Sequence, residues 1–475
     1  MSDCCKNENT SPDILVIGAG SAGFSAAITA AETGAQVVIA GAGTIGGTCV
    51  NVGCIPSKTL IRATEGLHKA NNADRFTGIR GSAELVDWRA LVTQKQALVD
   101  DLRKAKYVDL LPEYPAISYV EGRARFTGNG TEILVGETLY TPRKVIIATG
   151  SASALPSING IQGVSVLDST SALELDRLPK SLLIIGGGVI GVELGNMFSR
   201  AGAAVTICCR SRLLPETEPE ISAALAESLR GEGVRVCEGV GYQKIEQEAR
   251  GIKLTCETLQ GETIIEAEQM LAAAGRKPNT RTLALEGVGI KVTRKGGIVV
   301  NEFMQTTQSD VYAVGDVTGV DMFVYMAAYG GKLAASNALN GNAHAYDNTT
   351  MPAVVFTDPQ VASVGLTEAA ARVRGLDVKT SMITLDNVPR FIASRETKGL
   401  IKLVADAQSD TLLGAAIFAP EAGDIIQTAV MALKGNLTTR ELGDTIFPYL
   451  TAVEGLKLAA QSFDKDVKKL SCCAG

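Results

Sequence analysis

Histidine is nearly absent from this chain. Only His68 and His344 are present, so the side chain best suited to acid–base work near neutrality has two places to act. A basic excess is missing as well. Lys and Arg number 45 against 51 Asp and Glu, for a net charge of −6, which leaves no electrostatic footprint for nucleic acid or an anionic membrane. No run approaches the roughly 18 apolar residues that a membrane span needs, and residues 1–13 lack the basic and apolar regions of a secretory signal. These absences predict a cytoplasmic protein with no nucleic-acid or membrane partner. What remains is an ordinary globular composition, 46% apolar and 20% charged over 475 residues, a length that suggests about three domains. Glycine is abundant, at 50 residues, which fits several tight strand-to-helix turns.

Ten cysteines in a reducing compartment point to thiols, ligands or redox centres rather than structural staples. Six of them stand in adjacent pairs, Cys4 with Cys5, Cys208 with Cys209 and Cys472 with Cys473. Neighbouring residues make poor disulfides, because their Cα spacing of about 3.8 Å falls below the usual range, but such pairs can chelate a soft metal ion. Cys208 and Cys209 read as a packing pair at a strand end. Residues 46–58, Gly-Gly-Thr-Cys-Val-Asn-Val-Gly-Cys-Ile-Pro-Ser-Lys, hold Cys49 and Cys54. On a regular helix that spacing leaves the two Cα atoms about 8.6 Å apart, beyond the reach of a disulfide, so a bonded pair requires a bend. Gly53 permits one, and Pro56, which has no N–H, fits the first turn of a helix. The pair is therefore expected at a helix start, where the aligned peptide dipoles stabilise a thiolate.

Two glycine-rich turns are expected to bind dinucleotides. The apolar stretch 14–17 runs into Gly18-Ala19-Gly20-Ser21-Ala22-Gly23, then a helix to about Thr33 and a strand over 36–40. Strand, G-x-G-x-x-G, helix and strand together hold a pyrophosphate at the helix N-terminus. The unit recurs at 181–208 around Gly186, Gly188 and Gly191. Two sites imply two nucleotides. Near Gly41 no acid stands where one is expected to meet the adenosine ribose of the first nucleotide. The second unit ends in Cys208-Cys209-Arg210-Ser211-Arg212, with no carboxylate for a free 2′-hydroxyl and with Arg210 and Arg212 able to grip a 2′-phosphate. NADPH is therefore expected over NADH.

The 46–58 string resembles the redox-active segment of the flavin-dependent pyridine nucleotide-disulfide oxidoreductases. Residues 145–150 (Val-Ile-Ile-Ala-Thr-Gly), 272–276 (Ala-Ala-Ala-Gly-Arg) and 310–316 (Asp-Val-Tyr-Ala-Val-Gly-Asp) resemble that family's domain crossings and its second flavin motif. The resemblance implies an α/β fold with two Rossmann-like dinucleotide-binding domains and a C-terminal α+β dimerisation domain. The expected layout is a polar tail at 1–12, an FAD domain at 13–150 continued at 281–350, an NADPH domain inserted at 151–280, and a dimerisation domain at 351–475. It further implies contacts to FAD from Gly18, Gly20, Gly23, Gly43, Thr48, Lys58, Ala124, Gly150, Asp316 and Val324. In the family, Cys54 faces the flavin, Cys49 exchanges with substrate, and Lys58 pairs with Glu193 beside the flavin ring. Hydride then passes from NADPH to flavin and the electrons go on to the thiols.

The family's disulfide reductases protonate a leaving thiolate with a His-Pro-Thr near the C-terminus. Here residues 447–454 read Phe-Pro-Tyr-Leu-Thr-Ala-Val-Glu, without that histidine. The absence argues against glutathione or lipoamide as substrate. A soft cation held by thiolates needs no proton, and the ending Lys-Lys-Leu-Ser-Cys-Cys-Ala-Gly resembles the mercury-reducing branch of the family. That branch implies a homodimer in which Cys472 and Cys473 of one subunit pass Hg(II) to Cys49 and Cys54 of the other, with Tyr107 and Tyr449 near the metal path. The alternatives are a low-molecular-weight disulfide reductase and a thiol-metal buffer without turnover.

Overall fold

The computed structural model describes residues 10–258 and 261–466, so Cys4, Cys5, Cys472 and Cys473 lie outside the described residues. The chain divides into two compact units, one of residues 1–57, 92–154 and 275–347, the other of 58–91, 155–274 and 348–475.

In the first unit, Ile14–Ile17 is buried at every position and Val37–Gly41 likewise. Unbroken apolar runs of this kind suit a parallel sheet covered on both faces. The sheet has five strands in the order Val311–Ala313, Lys144–Ile147, Ile14–Ile17, Val37–Gly41 and Ile117–Glu121, all parallel. One face packs against helices Ser21–Glu32 and Val324–Asn340, whose alanines join Ile14, Val16 and Ile39 in one core. The helices approach closely because their contact is made of small residues; a β-carbon on Gly331 would lie 2.3 Å from the Ala22 carbonyl oxygen. The other face meets a small antiparallel sheet of Ala124–Phe126, Ile133–Val135 and Thr138–Tyr140 through Leu15, Val38, Phe126 and Tyr140.

The second unit repeats the parallel plan. Arg235–Cys237, Ala204–Cys208, Ser181–Ile185 and Gln269–Ala272 lie in that order, with helix Val189–Arg200 following the second glycine turn. The antiparallel strands Gly241–Glu248, Gly251–Thr258 and Gly261–Ala267 share a core with this sheet that includes Leu183, Cys208 and Cys256. The same unit also contains a five-stranded sheet ordered Ala353–Val355, Gln360–Gly365, Leu412–Ala419, Leu400–Asp406 and Val378–Thr384, which packs with helices Ala422–Lys434 and Glu454–Gln461.

A further helix precedes the small antiparallel sheet in the chain. It spans Trp88–Arg103 and opens into a π-turn over Lys104–Val108. Such turns are frequent at functional sites, and this one carries Tyr107.

Candidate active site

Cys49 lies in the short helix Gly47–Val52 and Cys54 opens the long helix Cys54–Asn71. Between them Gly53 breaks the path, with φ −122° and ψ −106°. A β-carbon there would stand 2.9 Å from the Thr48 carbonyl oxygen and 3.3 Å from the Cys49 Cα, so the absence of a side chain lets the turn fold back onto Cys49. The expected bend is present, but only Cys54 stands at the start of a long helix. Both cysteines are half-buried. Tyr107 closes the other side of this turn: its ring lies 3.1 Å from where a Gly46 β-carbon would be and meets Phe24 edge-on at 4.9 Å. Its hydroxyl is 3.4 Å from that of Ser21. Burial raises the Tyr107 pKa, the Ser21 hydrogen bond opposes the rise, and Cys49 and Cys54 add to it. The structure thus brings Cys49, Cys54 and Tyr107 together within the first unit.

The two glycine turns are built alike. Gly18 has φ +122° and Gly186 φ +123°, and a β-carbon on either would fall 2.2 Å from a carbonyl oxygen, of Ala148 and Ala273 respectively. Gly23 and Gly191 close on the first glycine of their own motif, at 1.9 and 2.0 Å from the oxygens of Gly18 and Gly186. The middle glycines face open space instead. A β-carbon on Gly188 would meet nothing within 4 Å, and one on Gly20 only Gly47 Cα at 3.6 Å. Both following helices begin without a side-chain cap or an acid in the first turn, which leaves N–H groups for a pyrophosphate. The residues present fit two dinucleotides.

Around the first turn, Asp316 sits in the turn Gly315–Thr318 and accepts the Ser151 hydroxyl at 2.6 Å, while Arg276 donates to the same hydroxyl at 2.7 Å. Gly150 has φ +68° with open space beside it. Val324 is the first residue of helix Val324–Asn340. Gly43 and Thr48 are exposed, whereas the Ala124 side chain is buried. At Gly41 the structure supplies a reason for the missing acid: a β-carbon there would lie 2.6 Å from the Tyr119 hydroxyl and 3.1 Å from the Ala19 β-carbon.

In the second unit Lys58 Nζ donates to Glu193 Oε2 at 2.7 Å, and Glu193 Oε1 accepts the Phe356 N–H at 2.9 Å. Only 4% of the Glu193 side chain is exposed against 31% for Lys58, so a nearly buried carboxylate anchors an ammonium that still reaches solvent. The ammonium also stands 4.9 Å over the Phe356 ring. At the end of the Ala204–Cys208 strand, Arg210 is exposed beside the Tyr242 ring. Arg212 turns one nitrogen onto the carbonyls of Pro215 and Thr217, at 2.7 and 2.8 Å, while its Nη1 is buried without a partner. That unpartnered donor suits an anionic group. Tyr449 is 50% exposed. Phe356, Ser21 and Phe24 were not foreseen as site residues, and no local pattern in the chain marks them.

Residues 12–332 match the family described as pyridine nucleotide-disulphide oxidoreductase, and residues 351–460 match that family's dimerisation domain. The chain belongs to this family: it is an oxidoreductase, and membership implies FAD and a nicotinamide nucleotide. Its curated relatives narrow the branch. It is 47% identical to the mercuric reductase of Staphylococcus aureus over 99% of this chain and 85% of that protein. Against the mercuric reductase of Streptomyces lividans it is 44% identical over 98% of this chain and 99% of the relative. Among solved structures, the HOCl-induced flavoprotein disulfide reductase RclA from Escherichia coli superposes with a TM-score of 0.83 at 29% identity, covering 94% of this chain and 99% of that one. No described helix is long and apolar enough to cross a membrane.

Proposed function

We propose that the protein is a homodimeric, NADPH- and FAD-dependent mercury(II) reductase that takes Hg(II) as thiol complexes. The observation that carries this reading is 43–47% identity to curated mercuric reductases over nearly the whole chain, and the fate of its histidines agrees with it. His68 lies 3.8 Å from Glu232, with its pKa lowered first by burial and then by Arg200, and the His344 backbone is bound by Asn337. The stretch 447–454 carries Tyr449 in place of an acid. A disulfide substrate would need a proton donor there; a metal–thiolate complex does not.

Bound FAD and NADPH supply the two-electron transfer. The chain's own groups position and exchange. Gly20 and Gly188 with their helix N-termini seat the two pyrophosphates, the exposed Arg210 and the unpartnered Arg212 nitrogen favour a 2′-phosphate, and Lys58, fixed by Glu193, sets a positive charge where reduction accumulates a negative one. Cys49 and Cys54 displace the incoming thiols from Hg(II). The overall balance takes two electrons from NADPH, releases one proton and two thiolates, and leaves Hg(0), which binds thiolates poorly and departs. We assign delivery of the metal to Cys472 and Cys473 of the partner subunit, since a second thiol pair can pass on a thiol-bound ion by ligand exchange without releasing it to water.

The test is a steady-state NADPH assay with Hg(II) in excess thiol, beside oxidised glutathione and lipoamide. Turnover is expected with Hg(II) alone. Disulfide turnover without Hg(II) turnover would assign the protein to the low-molecular-weight disulfide reductases, and tight Hg(II) binding without NADPH oxidation would make it a buffer.

A further inference from the structure

Cys208 and Cys209, read as a packing pair at a strand end, are both buried there, and the neighbour of Cys208 on the next strand is Cys237. The two residues are direct register partners on the parallel strands Ala204–Cys208 and Arg235–Cys237, so their side chains leave the same face of the sheet. Cys208 is fully buried, whereas Cys237 is half-buried. The Cys209 thiol donates to the Ser211 carbonyl at 3.2 Å and reaches the Cys237 carbonyl at 3.8 Å, and Cys256 donates to the Thr263 carbonyl at 3.6 Å.

Neighbouring strands lie about 4.7–4.9 Å apart, inside the roughly 4.4–6.8 Å between Cα atoms over which two cysteines can share a bond or a ligand. Two metal–sulfur bonds of about 2.3 Å each, the zinc–thiolate length, span about 4.6 Å end to end. A two-coordinate ion is therefore within reach of both side chains. No group of three or more His, Cys, Asp or Glu among the described residues is arranged to hold a metal, so an ion that demands four ligands has no cage here. Soft ions prefer thiolate, and Hg(II) is satisfied by two in a line.

We propose that Cys208 and Cys237 form a second thiol site, distinct from Cys49 and Cys54, that binds a soft, linearly coordinated metal ion. The ion enters at half-buried Cys237 and then takes the buried Cys208. Each thiol gives up a proton as its metal–sulfur bond forms, and nothing is oxidised or reduced. The site lies at the carboxyl ends of parallel strands, where a dinucleotide is received. Cys208 directly precedes the segment bearing Arg210 and Arg212, and the Cys209 N–H donates to the Cys237 carbonyl at 2.9 Å. A metal there would tie together two strand ends beneath the nucleotide-binding arginines. The proposal goes beyond reduction of Hg(II) and requires no turnover.

The test uses the full-length flavin-loaded chain with Cys4, Cys5, Cys49, Cys54, Cys472 and Cys473 changed to serine. It is titrated with HgCl2, desalted in the presence of excess free cysteine, and analysed for bound mercury and for thiols protected from alkylation. One equivalent of mercury per chain should be retained, with Cys208 and Cys237 protected. Adding Cys237→Ala should abolish retention, whereas adding Cys209→Ser or Cys256→Ser should not. Cys237 is only half-buried, so its replacement should leave flavin content and circular dichroism intact even where Cys208→Ser unfolds the sheet. Mercury lost to free cysteine from the parent, mercury retained after Cys237→Ala, or mercury lost after Cys209→Ser would each overturn the assignment.

Discussion

Gly41 shows how much can turn on one missing β-carbon. The pattern of the first nucleotide unit calls for an acid near this position, and its absence suggests that restoring one would tighten flavin binding. The structure reverses that expectation. Tyr119, on the strand next to Val37–Gly41, occupies the space: its hydroxyl stands 2.6 Å and its ring 2.9 Å from a β-carbon placed on Gly41. Overpacking of this kind typically costs about 1–3 kcal/mol. Gly41→Glu should therefore loosen FAD about tenfold or more, read as a rise in free flavin fluorescence on dilution. The double variant with Tyr119→Ala, which removes the obstruction, should recover at least part of the affinity. Flavin held as tightly by Gly41→Glu as by the unmodified chain would show that Tyr119 moves aside at no cost.

At the level of elements, one buried lysine joins three segments of the second unit. Lys402, on strand Leu400–Asp406, donates to Glu218 at 3.0 Å, to Glu220 at 2.9 Å and to Glu368 at 3.0 Å, with only 4% of its side chain exposed. Glu218 directly precedes helix Pro219–Gly231, Glu220 lies in its first turn, and Glu368 opens helix Glu368–Val373. The carboxylates thus sit at the positive ends of two helices. Burial opposes the Lys402 charge, but the three carboxylates outweigh it and raise the pKa above the ordinary 10.5. Stability from this group is therefore complete below 10.5 and is lost as pH rises through the higher folded value. Glu368 is held below its ordinary 4.5 by Lys402 and then Arg372, so its contribution is present above 4.5 and is lost as pH falls through the lower folded value. Lys402→Met leaves the carboxylates facing one another, and breaking a buried pair costs about 3–5 kcal/mol; the solvent reaching Glu220 and Glu368 places the cost near the lower figure. Thermal unfolding across pH should show the largest loss near neutrality, shrinking below about pH 4.5 as Glu368 protonates. A loss independent of pH would point to packing rather than charge.

Across the whole molecule, the parts legible in the sequence were those written locally. Each strand, glycine turn and helix unit announces itself within about 30 residues, and Gly53 beside Cys54 announced the bend that the structure contains. What could not be read depends on partners brought close only by folding: Phe356, whose N–H meets Glu193 across 163 positions, Tyr119 filling the space at Gly41, and Cys237 facing Cys208. The two proposed metal-handling pairs pose the same problem on the largest scale, since Cys49 and Cys54 lie near one end of the chain and Cys472 and Cys473 at the other. If the tail serves its own subunit, a dimer is incidental to delivery; if it serves the partner, a complete site needs two chains. Mixed dimers separate these cases. One parent carries Cys49→Ser and Cys54→Ser, the other Cys472→Ser and Cys473→Ser. The inner-pair variant should be inactive with every mercury complex. The tail variant should still reduce its flavin with NADPH yet turn over bulky mercury–thiol complexes poorly. In the heterodimer, the first chain keeps its tail pair and the second its inner pair, so one complete site forms only if the tail acts across the interface. Turnover of the bulky complexes should return to about half that of the unmodified dimer, because one of its two sites is complete. Purified heterodimers with full flavin content and no recovery would confine the tail to its own subunit.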